Sequence, residues 1–189
     1  TTNTSNVKPR KNGNTLKVYD QYEYWLPFDS ALSGIRFTEL AYERWFYQDR
    51  ETQEFQSRIF SNWEFLSPTK MRFYLNPDVY WQDENEITAQ DVCFSLDMFR
   101  NNRISQHRKK LREKVNGCVA VSSSVVDIEL NTSFHTPLSL FNFILLPHIH
   151  FASSTYSRRD GFWKQPIGSG PLLCYRGSRD ATCFNRVKP

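Results

Sequence analysis

The sequence predicts an α/β fold, on three observations. Met71-Arg72-Phe73-Tyr74-Leu75 alternates large apolar with polar or amphipathic side chains, the period of a half-buried strand. Val126, Ile128 and Leu130 alternate in the same way against Asp127, Glu129 and Asn131. Between them Val92, Leu96 and Phe99 recur at helical spacing on one face, with Cys93 alongside. Two strand pairs and a helix, each with one apolar side, bury those sides together in one α/β core.

The remaining elements follow in chain order. Residues 1–14 are polar, with Lys8-Pro9-Arg10-Lys11 and Gly13, and read as a flexible leader. Thr15 to Tyr19 is a strand. Tyr22 to Asp29 runs from it to a turn near Ser33-Gly34. Phe37 to Tyr47 reads as a helix whose Leu40, Tyr42, Trp45 and Phe46 spread around it, so it should be covered on several sides. Asn76-Pro77-Asp78 ends the strand at Leu75, because proline has no N–H for a ladder. A short strand Val79-Tyr80-Trp81 follows, then a polar turn from Gln82 to Glu86. Thr88 is placed to cap the helix, its hydroxyl accepting from the N–H groups of Gln90 and Asp91, and Asp91 completes an [ST]-x-x-[DE] pattern. Gly117 to Leu130 reads as a hairpin turning at Ser122-Ser123-Ser124. Pro137 to Phe143 reads as a helix opened by Thr136 and by proline at its first position.

Composition narrows the function. Aromatics make up 15% of the 189 residues, too much apolar ring surface for a disordered chain. The net charge of +4 is mild and does not by itself imply nucleic acid. Arg103, Arg108, Lys109, Lys110, Arg112 and Lys114 form a basic run that reads as the solvated side of a helix buried through Leu111 and Val115. No apolar run approaches the roughly 20 residues of a spanning helix. The chain opens at Thr1 without Met, as a mature or trimmed secreted protein would and as a recombinant product would.

No nucleophile, base and orienting group stand together, so no catalysis is assigned. His107, His135, His148 and His150 are scattered. His148-Ile149-His150 would present both imidazoles on one face of a strand, but no carboxylate or third histidine is near in sequence, and neither metal nor other cofactor is expected. Cys93 reads as a buried free thiol. Cys174 and Cys183 flank Arg176-Gly177-Ser178-Arg179-Asp180 symmetrically. In a hairpin they would face each other, either bridged in an oxidising compartment or reduced and packed as small hydrophobes.

Three motifs in order carry a resemblance. Thr38-Glu39-Leu40-Ala41-Tyr42-Glu43, followed by Trp45-Phe46-Tyr47-Gln48-Asp49, is like T-E-x-x-Y-E-x-L-F-x-x-D. Trp63, Glu64, Phe73, Leu75, Val79, Trp81, Asp83, Ile87, Thr88, Ala89, Asp91, Val92, Phe94 and Ser95 fall on W-E-x…F-x-L-R-x-G-V-x-W-x-D-G-x-x-[IL]-T-A-x-D-V-x-F-S. Pro166-Ile167-Gly168-Ser169-Gly170-Pro171 is like P-[IV]-G-[TS]-G-P-Y. From about Thr15 to its end the chain resembles the family 5 extracytoplasmic solute-binding proteins of ABC importers for oligopeptides, dipeptides and nickel. It departs from the pattern at Asp78 and Glu84, where the family usually has glycine, and at Leu172, where it usually has tyrosine.

The resemblance implies a type II periplasmic-binding-protein-like fold, present as an N-terminal fragment of a family that usually runs well over twice this length. The small α/β subdomain, 35–165, would then be joined to part of the first large lobe: 15–34 as its first strand and cleft segment, 166–189 as the return. It implies a peptide or similar small solute as ligand, an ABC permease as partner, a monomer, and a periplasmic or otherwise extracytoplasmic location. No nucleic acid would be bound by this segment. Family members line their cleft with the stretch after the first strand, which makes Trp25, Phe28, Ser30, Leu32, Ser33 and Gly34 candidate ligand contacts, against the alternative of core packing for the aromatics. A loop after the helix brings an aromatic residue towards ligand in the family, and His107 falls near that place. An alternative from another class is the solute-binding domain of a cytosolic bacterial transcription regulator, which senses a metabolite rather than transporting it.

Overall fold

The computed structural model describes residues 15–19, 41–102, 107–133, 135–151, 161–164, 166–176 and 180–185. In chain order these form β1 (Thr15–Tyr19), β2 (Tyr47–Gln48), β3 (Phe55–Gln56), β4 (Phe60–Ser67), β5 (Lys70–Leu75), α1 (Ala89–Asn101), α2 (Arg108–Lys114), β6 (Val115–Ala120) and β7 (Val125–Leu130). Three 3₁₀ turns follow, Pro137–Phe141, His148–His150 and Gly161–Lys164, and then β8 (Leu172–Arg176) and β9 (Asp180–Asn185). A four-stranded antiparallel sheet has the order β4-β5-β7-β6, a three-stranded antiparallel sheet the order β1-β9-β8, and β2 pairs with β3.

The alternation in β5 sets the core. Met71, Phe73 and Leu75 are buried, and the register lays Met71 opposite Ile128 and Phe73 opposite Val126 on β7. Directly opposed residues of an antiparallel pair share a face, so this side of the sheet is continuously apolar. Helix α1 covers it with Ala89, Val92, Leu96, Met98 and Phe99, all buried. Each such side chain contributes roughly 1.5–3 kcal/mol by leaving water. Trp81, expected in this core, is buried, whereas Trp63 is only half-buried, packed at the rim against Phe46. On the opposite face of the sheet the Arg72 guanidinium grips Asp127 through two hydrogen bonds, 2.6 and 2.9 Å, and Lys70 adds a third contact at 3.0 Å. These bonds, Arg72 first, hold the Asp127 carboxyl below its ordinary range.

Several expectations are corrected. Of the helix expected over Phe37 to Tyr47, Ala41 is helical, residues 42–47 are not, and Tyr47 begins β2; residues 37–40 lie outside the described residues. Residues 43–45 instead lie extended against 143–145. Trp45 N–H donates to Phe143 O at 3.0 Å, Leu145 N–H to Glu43 O at 3.2 Å, and Arg44 bridges Ile144. The aromatics that suggested an all-round-covered helix are buried in a ring cluster: Trp45 lies 5.5 Å from Phe141 and 4.8 Å from Phe143, and Phe46 lies 5.4 Å from Phe60. Burial of those rings in an extended segment outweighs helical propensity, which is a weak prior. Val79-Tyr80-Trp81 is no strand and keeps a single bridge, Tyr80 to Glu86. Pro137–Phe141 is a 3₁₀ turn, shorter than the expected helix, without a side-chain cap from Thr136. His148–His150 is a 3₁₀ turn rather than a strand.

Cys93 is not a free thiol. It is disulfide-bonded to Cys118 on β6, with Cα atoms 5.3 Å apart. Its place beside the apolar stripe of α1 puts it against the sheet, but a partner 25 residues away leaves no spacing signal.

The turn at Glu84, where glycine was the family's usual residue, keeps the backbone that glycine favours. Glu84 has φ of +70°, and its N–H donates to Trp81 O at 3.1 Å. A side chain in this left-handed region costs about 1–2 kcal/mol, offset in part by the extra unfolded-state freedom of glycine. Glu84→Gly is therefore expected to stabilise the protein by about 0.5–1 kcal/mol. Urea unfolding measures this, and a lower midpoint for the glycine variant would refute the strain.

Candidate ligand-binding region

Two polar networks organise the described part of the molecule. The first is centred on Asp91 at the third position of α1, a residue 1% exposed. Its Oδ2 accepts from Thr88 N–H at 2.8 Å, Thr88 Oγ1 at 3.0 Å and Trp81 Nε1 at 3.3 Å. Its Oδ1 accepts from His148 N–H and His148 Nδ1, both at 2.8 Å. The expected capping box is present, the Thr88 side chain accepting from the Asp91 N–H and the Asp91 carboxylate from the Thr88 N–H, and the Thr88 hydroxyl also donates to that carboxylate. Because Asp91 Oδ1 is an acceptor, His148 Nδ1 carries the proton of this bond. One turn further along α1, the buried Ser95 hydroxyl accepts Leu146 N–H at 2.8 Å and lies 2.6 Å from Asp91 O, to which it donates. The carboxylates missing in sequence are thus brought in by the fold: His148 has Asp91 and His150 has Asp83, at 2.9 Å.

Ser95 bonds backbone rather than His148, so imidazole and hydroxyl form no relay. Among the described residues no three histidine, cysteine or carboxylate groups are placed to hold a metal ion.

The second network binds the glycine motif. Gln82 N–H donates to Gly168 O at 2.9 Å, and Gln82 Oε1 accepts Gly168 N–H at 3.0 Å. Gln82 Nε2 reaches Leu172 O at 2.6 Å, where β8 begins. Gly170 N–H donates to Ala41 O at 2.8 Å, and Glu43 N–H donates to the Ser169 hydroxyl at 3.0 Å. A Cβ on Gly168 would lie 1.8 Å from Ala41 O, an impossible approach, so this glycine is required by contact. The segment after Ala41 and the segment before β8 therefore run side by side, tied to each other and to Gln82.

Beside this junction lies a shallow groove of about 280 Å³ lined by Tyr42, Glu43, Arg44, Tyr47 and Arg58. Its charges are largely engaged: Arg58 pairs with Glu43 at 3.1 Å, and Arg44 donates to Asn142 Oδ1 at 3.0 Å. Burial pushes the Tyr42 phenol well above its ordinary range.

Of the candidate ligand contacts, Trp25, Phe28, Ser30, Leu32, Ser33 and Gly34 lie outside the described residues. His107 is half-buried at the N-terminus of α2, its ring 6.0 Å from that of Phe99 and 5.7 Å from that of Phe143. Sequence reasoning missed Gln82, Ser95 and His148 as organising residues. Two of the three sit in or beside the second motif, whose W-x-D and F-S positions were the available signal.

Comparison with known proteins places these features. The family described as Bacterial extracellular solute-binding proteins, family 5 Middle, matches residues 54–176, well over half of the chain. A curated relative, the HTH-type transcriptional regulator SgrR of Photorhabdus laumondii, is 26% identical over 176 residues, covering 89% of this chain and 29% of its own length. Among solved structures, MoaA of A. tumefaciens R10 in complex with mannopinic acid superposes with a TM-score of 0.75 at 23% identity, over 88% of this chain and 36% of that one. A dipeptide binding protein from Pseudoalteromonas sp. SM9913 in complex with Met-Leu gives 0.69 at 17% identity, over 82% and 36%. The fold is that of type II periplasmic binding proteins, and the chain spans about a third of the length of these relatives.

His107 makes a prediction in pH. Burial first, then the Arg44 and Lys110 charges, lower its pKa from the ordinary 6.5. A histidine lowered on folding contributes stability that is fully present above about 6.5 and lost as pH falls through its folded pKa. Between about pH 7 and pH 5 the protein should lose stability more steeply than His107→Phe, which keeps a ring against Phe99 and Phe143 but cannot titrate. Parallel slopes in urea unfolding across that range would contradict the assignment.

Proposed function

Because the chain belongs to the bacterial extracellular solute-binding proteins of family 5, we propose that it is part of the solute-binding component of an ABC importer. In this reading it contributes the small α/β subdomain and part of one wall of a cleft that closes on a peptide or similar small solute, for delivery to a membrane permease. The family consists of binders rather than enzymes. Solute binding in such proteins is closure around ligand, driven by contacts made only in the closed state.

The observation that carries the importer reading over its alternative is the Cys93–Cys118 disulfide. Structural disulfides persist in oxidising compartments and are rare in the bacterial cytosol. A second reading, a ligand-sensing domain of a cytosolic transcription regulator, is favoured by the curated relative, whose name is that of such a regulator. The two part on compartment. Cells carrying the full-length protein are fractionated and the thiols trapped by alkylation before lysis. Recovery with the periplasmic contents, with Cys93 and Cys118 unreactive, supports the importer; recovery with the cytoplasm, with both alkylated, overturns it for the regulator.

Ligand affinity gives a further prediction. A closed site derives its affinity from groups on both walls and from expelling water between them. Trp25, Phe28 and residues 30–34, with His107, would supply stacking and little charge complementarity. This chain alone should therefore bind peptides no better than about millimolar, some −4 kcal/mol. Calorimetric titration of this chain and of the full-length protein with one peptide pool decides it, and micromolar binding by the chain alone would refute the two-walled site.

A further inference from the structure

The backbone register of the three-stranded sheet sets the other two cysteines opposite each other. Strands β8 and β9 pair antiparallel with Leu173 opposite Phe184, Cys174 opposite Cys183 and Tyr175 opposite Thr182. Residues directly opposed in an antiparallel pair have Cα atoms about 4.5 or 5.5 Å apart and project to the same face. A disulfide needs Cα atoms roughly 4.4–6.8 Å apart. Opposed cysteines therefore meet the requirement from backbone placement alone, and a one-residue slip would send the two to opposite faces. The register is fixed from both sides: β9 is the central strand, and its other edge pairs with β1, Leu16 opposite Cys183.

We propose that Cys174 and Cys183 form a disulfide that staples β8 to β9, so that all four cysteines of the chain are paired. Two thiols lose two protons and two electrons as the S–S bond forms, and the electrons pass to a disulfide oxidant, glutathione disulfide or a protein disulfide donor, which is reduced to two thiols. The bond would act at a defined place in the molecule. Strand β8 begins at Leu172, whose carbonyl accepts from Gln82 Nε2 at 2.6 Å. Fastening β8 to the central strand would hold the chain's return path beside the glycine motif in register with β1. Formation in the cell rests on the oxidising compartment proposed above, but the pairing itself does not.

The pairing is directly measurable, because trypsin separates every cysteine. Cys93, Cys118, Cys174 and Cys183 fall on the tryptic peptides 73–100, 115–158, 165–176 and 180–186. Four cysteines allow three connectivities, and each gives a different set of linked masses. The folded protein is equilibrated in an oxidising glutathione buffer, quenched with acid, alkylated and digested without reductant. The expected result is a linked species of 165–176 with 180–186 that separates on reduction, with neither cysteine alkylated. In Cys174→Ser that species is lost and Cys183 becomes alkylated, while 73–100 stays linked to 115–158. Alkylation of both Cys174 and Cys183 in the folded oxidised protein, or linkage of either to Cys93 or Cys118, would overturn the proposal. The same digestion of protein taken straight from cells separates the two claims: a link that forms only in the glutathione buffer upholds the pairing and counts against the compartment.

Discussion

The carboxylate of Asp91 is the constraint on which the rest of the described structure depends. A buried carboxylate is tolerated only when its lone pairs are taken by donors. Here five donor contacts from Trp81, Thr88 and His148 surround it. Those donors come from three separate places: the loop after β5, the cap of α1, and the turn at His148–His150. The helix N-terminus also favours negative charge at this point. Satisfying one side chain thus sets the angle at which α1 leaves the loop and fixes where the segment around Leu146 and His148 must pass. Ser95, one turn on, bonds the same segment again through Leu146. With α1 held at both places, Val92, Leu96 and Phe99 meet the apolar face of β5 and β7, and Cys93 comes within bridging distance of Cys118.

The glycine motif extends the same logic to the junction with the second sheet. Gln82 follows Trp81 by one residue, so the loop that delivers a donor to Asp91 also delivers an amide to Gly168 and Leu172. Core packing and the path towards β8 are thereby coupled through two adjacent side chains. Close approach of Gly168 to Ala41 leaves no room for a side chain, which explains the glycine without any appeal to a bound phosphate.

Elements with a clean period were legible in the sequence. Strand β5, helix α1 and strand β7 each carry one apolar face, and period alone identifies them. The motifs identified the family because they are dense in residues that the structure uses: Trp81, Thr88, Asp91 and Ser95 all bond in the first network. The segment 42–46 departs from the helix expected there because aromatic side chains on every side are compatible with a covered helix and with an extended strand inside a ring cluster. Only the long-range pairing with 143–145 decides between them. Contacts such as His148 with Asp91, or Cys93 with Cys118, join residues far apart in the chain and leave no periodic trace. The contact of the half-buried His107 ring with Phe99 and Phe143 is likewise a relation no local pattern carries.

The central claim is that Asp91 holds these three segments together, and a single substitution tests it. Asp91→Asn keeps the size of the side chain but turns one acceptor into a donor facing Thr88 and Trp81 or His148. Unfolding in urea, followed by both far-ultraviolet circular dichroism and tryptophan fluorescence, should show a loss of about 3 kcal/mol or more. The amides of Leu146 and His148 should exchange faster even under native conditions. A loss below about 1 kcal/mol, the centre of the range for point substitutions in general, with those amides unchanged, would contradict the account.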